Sequence, residues 1–172
     1  MSRAFVKEDD SGEPPIIAPR AALTAGTTNY VTPQGLTMLQ EELSALELER
    51  TQIEANHQNE ADRSRHLTII NARLGALSER LASARVIEPR TQPSDQVRFG
   101  ASVTLRTCSG EKAGTERQFT IVGVDEASVA KGRISFVSPL ARSVQGARVG
   151  QILHLRIGQL EEVVEVMAIT YA

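Results

Sequence analysis

Two stretches decide the fold: LTMLQEELSALELERTQI at residues 36–53 and LTIINARLGALSERLASA at residues 67–84. In both, apolar side chains recur every three or four residues, which is the spacing of one face of an α-helix. Two such faces in succession can pack together as an antiparallel coiled coil. The polar segment between them, residues 56–66, is then the tip of a helical hairpin. Arms of about 26 residues would reach on the order of 40 Å at ~1.5 Å per residue.

The hairpin has recognisable ends. Thr32 followed by Pro33 is typical of an N-cap and a first helical position, so the first helix should begin there. Pro89 disfavours a helical conformation of the preceding residue and should end the second helix. We place the turn within residues 56–64, where polar side chains lower the helix propensity. The hairpin is thus predicted to span residues 30–88.

The flanking segments differ in character. Residues 1–29 contain prolines, glycines and an acidic cluster without a regular period, which indicates a disordered tail. Residues 89–96 are polar and predict a linker. From residue 97 to residue 172 the apolar period becomes that of β-strands. We expect strands at 97–99, 102–107, 118–122, 133–137, 152–157 and 163–171.

A second cap-and-proline pair, Ser138 and Pro139, predicts one short helix that stops near Gly146. The predicted fold class is therefore α+β. An N-terminal antiparallel coiled-coil hairpin precedes a compact antiparallel β domain with one short helix.

Composition restricts the function classes. The net charge is −2 at pH 7, so a uniformly basic nucleic-acid coat is excluded and any such contact should be local. Cys108 is the single cysteine of the sequence, which excludes internal disulfides and fits a reducing cytoplasm. Neither a signal-peptide core nor the ~18 apolar residues of a membrane span occur in the sequence. We expect a cytoplasmic monomer without a membrane partner.

Several motifs resemble the bacterial Gre transcription elongation factors. Residues 119–127, FTIVGVDEA, then GRIS at 132–135 and SPLAR at 138–142 resemble the family signature I-V-G-x-D-E-A…I-S…S-P-[IL]-A-R in order and spacing. VRFGASV at residues 97–103 is similar to the family's V-x-F-G-A-x-V. Residues 32–46 resemble its T-x-x-G-x-x-x-L-x-x-E-L-x-x-L opening.

The resemblance implies a function at RNA polymerase. In this family an FKBP-like C-terminal domain docks on bacterial RNA polymerase near the mouth of its secondary channel, and the coiled-coil hairpin enters that channel. Acidic residues at the tip help to hold a catalytic Mg²⁺ of the polymerase, which promotes hydrolysis of the 3′ end of backtracked RNA. The resemblance thus implies an accessory factor and not an enzyme. It would have no cofactor of its own and would act on the nascent RNA 3′ end indirectly.

The docking segment implied by the resemblance contains Asp125, Glu126, Ser138, Pro139 and Arg142. Ser138 and Pro139 would begin a helix in any protein. Asp125, Glu126 and Arg142 carry no such structural obligation, so they are the better candidates for polymerase contacts.

The tip does not reproduce the family motif Gly-Asp-x-x-Glu-Asn-Ala-[ED]-Tyr, and each arm is about one heptad shorter, or ~10 Å less reach. Glu60 and Asp62 are the acids near the bend. They either assist the polymerase Mg²⁺ or simply solvate a helix turn. Arg63 and Arg65 are candidates for contacts with RNA or the channel, whereas the remaining arginines of the second arm can balance glutamates of the first.

Other hypotheses stay open beside cleavage stimulation. A non-cleaving relative would occupy the channel and compete with cleavage-competent factors. The FKBP-like domain could instead be a prolyl isomerase, but that activity needs an aromatic-lined pocket and the domain has few aromatic residues. We expect no intrinsic metal site, because helical pairs among His57, Glu60, Asp62 and His66 arise by chance in a polar bend.

Overall fold

The computed structural model describes residues 15–57 and 59–172. Two helices, α1 (Pro33–Ala55) and α2 (Glu60–Ser83), form the predicted hairpin. Thr32 caps α1, since its hydroxyl oxygen accepts a hydrogen bond from the Gly35 amide at 2.9 Å. The predicted start of the first helix and the predicted position of the turn are both confirmed.

The two leucine ladders form the seam of the hairpin, as predicted. The buried side chains of this seam are Val31, Leu39, Leu46, Ile70, Leu74 and Leu77. Full burial of such a side chain contributes about 1.5–3 kcal/mol, so the seam is the main source of hairpin stability.

No helix within the described ranges is both long enough and apolar enough to cross a membrane.

A small parallel sheet closes the base of the hairpin. Strand β1 (Asn29–Val31) precedes α1, and strand β2 (Ala84–Val86) follows α2. The two strands pair with each other. The sequence predicted neither strand. The prediction that Pro89 ends the second helix is wrong: α2 ends at Ser83, because residues 84–86 are extended and pair with β1.

The predicted disordered tail, residues 1–29, falls partly outside the described residues, which begin at residue 15. Within the described part the prediction is wrong at two positions. Asn29 is 2% exposed and belongs to β1. Arg20 donates hydrogen bonds to Glu42 and Asp125, so ionic contacts hold this segment against the rest of the chain.

The C-terminal domain is a five-stranded sheet in the order β5-β4-β3-β7-β6. Its strands are β3 (Ala101–Thr107), β4 (Glu116–Val122), β5 (Arg133–Ser135), β6 (Ile152–Ile157) and β7 (Leu160–Tyr171). Three pairings are antiparallel, as predicted. The β4–β5 pair is parallel, because residues 123–132 carry the chain back along the sheet before β5 begins.

One predicted strand, residues 97–99, is wrong. Phe99 and Gly100 form a turn, and Gly100 has φ +86°, a conformation that glycine adopts without strain. The linker before it contains a single 3-10 turn at Pro89–Thr91. The short helix is confirmed as α3 (Pro139–Val144), with the Ser138 side chain accepting a hydrogen bond from the Ala141 amide at 3.3 Å.

The apolar core of this domain joins the sheet to α3. Its fully buried members include Val97, Val103, Leu105, Val144, Val164 and Val166. This core is separate from the seam of the hairpin. The described part of the chain therefore has two apolar cores, and the contacts between the hairpin and the domain decide how the hairpin is held.

Candidate functional sites at the two ends of the hairpin

The tip acids lie in the first turn of α2. Asn59 caps this helix: its side-chain oxygen accepts a hydrogen bond from the Asp62 amide at 3.3 Å, and its Nδ2 donates to the Asp62 carboxylate at 2.5 Å. Glu60 is the first residue of the helix. Carboxylates in this position are favoured by the partial positive charge of a helix N-terminus. The cap was missed from the sequence, although an Asn three positions before an acid is a known signal for it.

Glu60 and Asp62 face different surroundings. Residues two apart on a helix project to different sides. The Glu60 side chain is 90% exposed, with Arg63 at 3.9 Å. Asp62 lines a recess of about 290 Å³ together with Asn56 and His66. The two carboxylates are thus arranged to act separately.

The two tip arginines also differ. Arg63 is only partly exposed and lies 2.7 Å from His57 Nδ1, besides its contact with Glu60. Arg65 is exposed. Within residues 15–57 and 59–172, no three His, Cys, Asp or Glu side chains are grouped so that they could hold a metal ion.

At the other end of the hairpin, Glu126 connects α1 to the globular domain. Its side chain is 3% exposed. Its carboxylate accepts hydrogen bonds from the Thr32 amide at 2.9 Å, the Thr32 hydroxyl at 2.5 Å and the Gly123 amide at 3.2 Å. The expectation that Glu126 lacks a structural role is wrong, because the carboxylate is buried and fully engaged within the chain.

Two glycines make room for this carboxylate. A Cβ added at Gly35 would lie 2.1 Å from Glu126 Cδ, and one at Gly123 would lie 2.7 Å from Glu126 Oε1. Both glycines belong to motifs noted in the sequence. Gly35, three residues after the capping Thr32, was the signal in the sequence that another side chain packs against the start of α1.

Asp125 has a structural role as well, contrary to expectation. Its side chain is 10% exposed and contacts two arginines. Arg20 Nη2 lies 3.0 Å from Asp125 Oδ1, and Arg80 Nη1 lies 3.2 Å from Asp125 Oδ2. Arg20 also forms a two-pronged pair with Glu42, with distances of 2.8 and 2.9 Å. The hydrogen bond from Arg20 lowers the pKa of Glu42.

The remaining docking candidates lie on α3. Ser138 caps the helix and is partly buried, whereas Pro139 and Arg142 are exposed. The structure thus divides the predicted docking set. Asp125 and Glu126 face the base of the hairpin, and α3 presents Pro139 and Arg142 at the surface.

An aromatic cluster completes the base. Tyr30 of β1 contacts Phe99 and Phe136 of the globular domain, and the three ring centroids lie 5.6–5.8 Å apart. Aromatic pairs at such distances contribute about 0.5–1.5 kcal/mol beyond their burial. The rings therefore join the hairpin to the domain, a role that the sequence did not predict.

Comparisons with known proteins give one consistent result. The family model "Transcription elongation factor, GreA/GreB, C-term" matches residues 92–171. The transcription elongation factor GreB of Neisseria meningitidis serogroup B is 34% identical over 163 residues, covering 87% of this chain and 98% of that protein. The transcription elongation factor GreA of Nitratiruptor is 33% identical over 154 residues, covering 82% and 92%.

A similar solved structure is the prokaryotic transcription elongation factor GreA/GreB from Nitrosomonas europaea. The two chains are 20% identical, and the match covers 83% of this chain and 98% of the other, with a TM-score of 0.40.

Proposed function

The chain belongs to the GreA/GreB family of transcription elongation factors, and from this premise we propose that it binds bacterial RNA polymerase at its secondary channel and modulates elongation. As a member of this family it is an accessory factor and not itself an enzyme. The globular domain docks near the channel mouth through the surface that carries Pro139 and Arg142. The hairpin enters the channel, in the cytoplasm where the polymerase works.

The observation that carries this proposal is the separation of an exposed acidic tip from a firmly attached base. The 23 residues of α1 span about 34 Å at ~1.5 Å per residue. Glu126, Asp125 and the aromatic cluster join the base to the domain. A long arm that is fixed at its base delivers its tip to a defined point on a partner.

At that point the tip carboxylates act on the polymerase. Carboxylate oxygens are hard ligands suited to Mg²⁺, and such an ion activates water for phosphodiester hydrolysis. The donor set at the tip fits the contribution of one carboxylate, from Glu60 or Asp62, to an ion held mainly by the polymerase. In this proposal Arg63 and Arg65 contact the RNA or the channel wall.

A second function, occupancy of the channel without cleavage, is favoured by one observation. Each tip acid already has a partner within the tip: Asn59 donates to Asp62, and Arg63 lies 3.9 Å from Glu60. If these contacts persist on the polymerase, the carboxylates are less available as metal ligands. The factor would then compete with cleavage-competent relatives.

The test uses purified bacterial RNA polymerase halted in a backtracked complex with end-labelled RNA. Addition of the protein should shorten the RNA, and the double variant Glu60→Ala, Asp62→Ala should abolish the shortening while polymerase binding persists. Glu79→Ala, an exposed acid at the far end of α2, is the matched control and should behave like the parent chain. Binding without shortening by the parent chain would support the competitor function, and failure to bind polymerase would overturn the proposal.

A further inference from the structure

Arg20, in the segment that precedes the hairpin, lies between the hairpin and the globular domain. Arg20 bonds Glu42 of α1 through two nitrogens, and Nη2 and Nε also donate to Asp125 Oδ1 at 3.0 and 3.3 Å. Its side chain is 19% exposed and that of Asp125 is 10% exposed. A planar guanidinium can serve two carboxylates at once in a way that a lysine ammonium cannot. Arg20 therefore bridges two parts of the molecule.

The segment that carries Arg20 is itself held by α2. Arg80 donates a hydrogen bond to the Ala21 carbonyl at 2.5 Å, and its other nitrogen lies 3.2 Å from Asp125 Oδ2. Asp125 thus receives one cation from the N-terminal segment and another from α2. Asp125 is thus connected directly to α2 through Arg80 and indirectly to Glu42 of α1 through Arg20.

The position of Glu42 along α1 determines how the ion pairs of Arg20 with Glu42 and Asp125 restrict the hairpin. The Thr32–Glu126 hydrogen bonds attach α1 to the domain at its first turn. Glu42 lies ten positions after Thr32, or about 15 Å further along the helix at ~1.5 Å per residue. Contacts spread along a rod restrict its direction more tightly than contacts at one end, so the Arg20 bridge adds to the restraint that Tyr30 and Arg80 already provide.

We propose that Arg20 is a positioning residue, which fixes the direction of the hairpin relative to the domain by tying Glu42 to Asp125. The inference rests on the proposed function only for its consequence at the polymerase. A pivot of about 10° at the base would move a tip on a ~34 Å arm by about 6 Å. Mg²⁺ ligation requires distances of about 2.0–2.1 Å, so such a displacement would remove the tip from its target.

The test measures hairpin direction without polymerase. Cys108, the single cysteine, is exposed and accepts a nitroxide label in the domain. Ser64→Cys adds a second label at the exposed tip. Double electron–electron resonance should give a narrow distance distribution in the doubly labelled parent chain. Arg20→Ala should broaden it, and Arg20→Lys should do so to a smaller extent.

Arg156→Ala is the matched control, because it removes an exposed ion pair with Glu161 in the domain. It should leave the distribution unchanged. Thermal unfolding and helicity, followed by circular dichroism, separate positioning from folding. Broadening in Arg20→Ala with unchanged helicity, measured well below the unfolding transition, supports the proposal. An unchanged distribution, or broadening that accompanies loss of helicity, overturns it.

The consequence at the polymerase is measured separately. Arg20→Ala should bind polymerase as the parent chain does and should reduce its effect on the backtracked complex several-fold. If the parent chain itself fails to bind polymerase, the proposed function fails while the distance measurement still decides the role of Arg20. If Arg20→Ala broadens the distribution yet acts on polymerase like the parent chain, the positioning role in function is overturned.

Discussion

Thr32 and Glu126, 94 positions apart in the sequence, are joined by two hydrogen bonds that use both oxygens of one carboxylate. The Thr32 hydroxyl donates to Glu126 and accepts from the Gly35 amide, so the cap of α1 is itself held by the globular domain. Buried hydrogen-bond chains of this kind are strong, and a missing member leaves the others unsatisfied. The start of the hairpin is therefore coupled to the folding of the domain.

Glu126→Ala should destabilise the chain markedly. It removes the acceptor of three hydrogen bonds and leaves the buried amide of Thr32 unsatisfied. Since hydrogen bonds to charged groups contribute about 1.5–3 kcal/mol each, the free energy of unfolding should fall by about 3 kcal/mol or more. Urea unfolding followed by circular dichroism measures it. Glu116→Ala, which removes a half-exposed ion pair with Arg106, should cost less than about 1 kcal/mol, and an equal loss would contradict the assignment.

Two glycine-to-alanine substitutions should change the stability of the chain in opposite directions. Gly35 is buried, and a Cβ there would lie 2.1 Å from Glu126 Cδ, so Gly35→Ala must displace the carboxylate and lower the melting temperature. Gly75 lies within α2 with no atom within 4 Å of an added Cβ. Gly75→Ala should stabilise the chain by up to about 1 kcal/mol, because alanine has the higher helix propensity. Equal effects from both variants would show that the Gly35 contact is unimportant.

Local sequence signals predicted the parts of the fold that depend on neighbouring residues. The ladders gave both helices because an apolar period reports one buried face, and the Thr32 and Ser138 caps were visible because each precedes a proline. Strands β1 and β2 were missed. Each has three residues, too few for a period, and they pair across more than 50 positions of sequence.

The site was predicted unevenly for the same reason. The position of Glu60 and Asp62 at the bend could be predicted because the helix boundaries set the tip, while their role stays a prediction. Asp125 and Glu126 were recognised as special but given an external role, since their partners Arg20, Thr32 and Arg80 lie far away in the sequence. Motif similarity marks a residue as constrained without saying whether a partner protein or the chain itself imposes the constraint.

The Arg20–Glu42 pair should make stability depend on pH in a defined window. Because Arg20 lowers the pKa of Glu42 below its ordinary value of 4.5, the pair contributes stability above that value and loses it as the pH falls through the lower, folded-state pKa. The difference in unfolding free energy between the parent chain and Glu42→Gln should be constant near neutral pH and shrink below about pH 4.5. Urea unfolding at several pH values measures it. In an Arg20→Ala background the dependence should become much smaller, because Arg20 is the main cause of the lowered pKa of Glu42 and Arg73 contributes less. A dependence of unchanged size there would assign the effect to another group.

The two tip acids should contribute unequally to any effect on backtracked RNA. Glu60 is 90% exposed, whereas the Asp62 carboxylate accepts a hydrogen bond from Asn59 and lines a recess. Glu60 has only a weak, exposed contact with Arg63 at 3.9 Å to give up on reaching an ion of the polymerase. Glu60→Gln should therefore slow RNA shortening on the order of tenfold, about 1.4 kcal/mol of activation free energy. Asp62→Asn should slow it less, because an amide can still accept from Asn59.

The rates come from single-turnover assays with saturating protein, and Glu79→Gln serves as an exposed control on the same helix. A larger loss from Asp62→Asn would transfer the role to Asp62, and equal losses would mean that the tip rearranges until both carboxylates reach one ion.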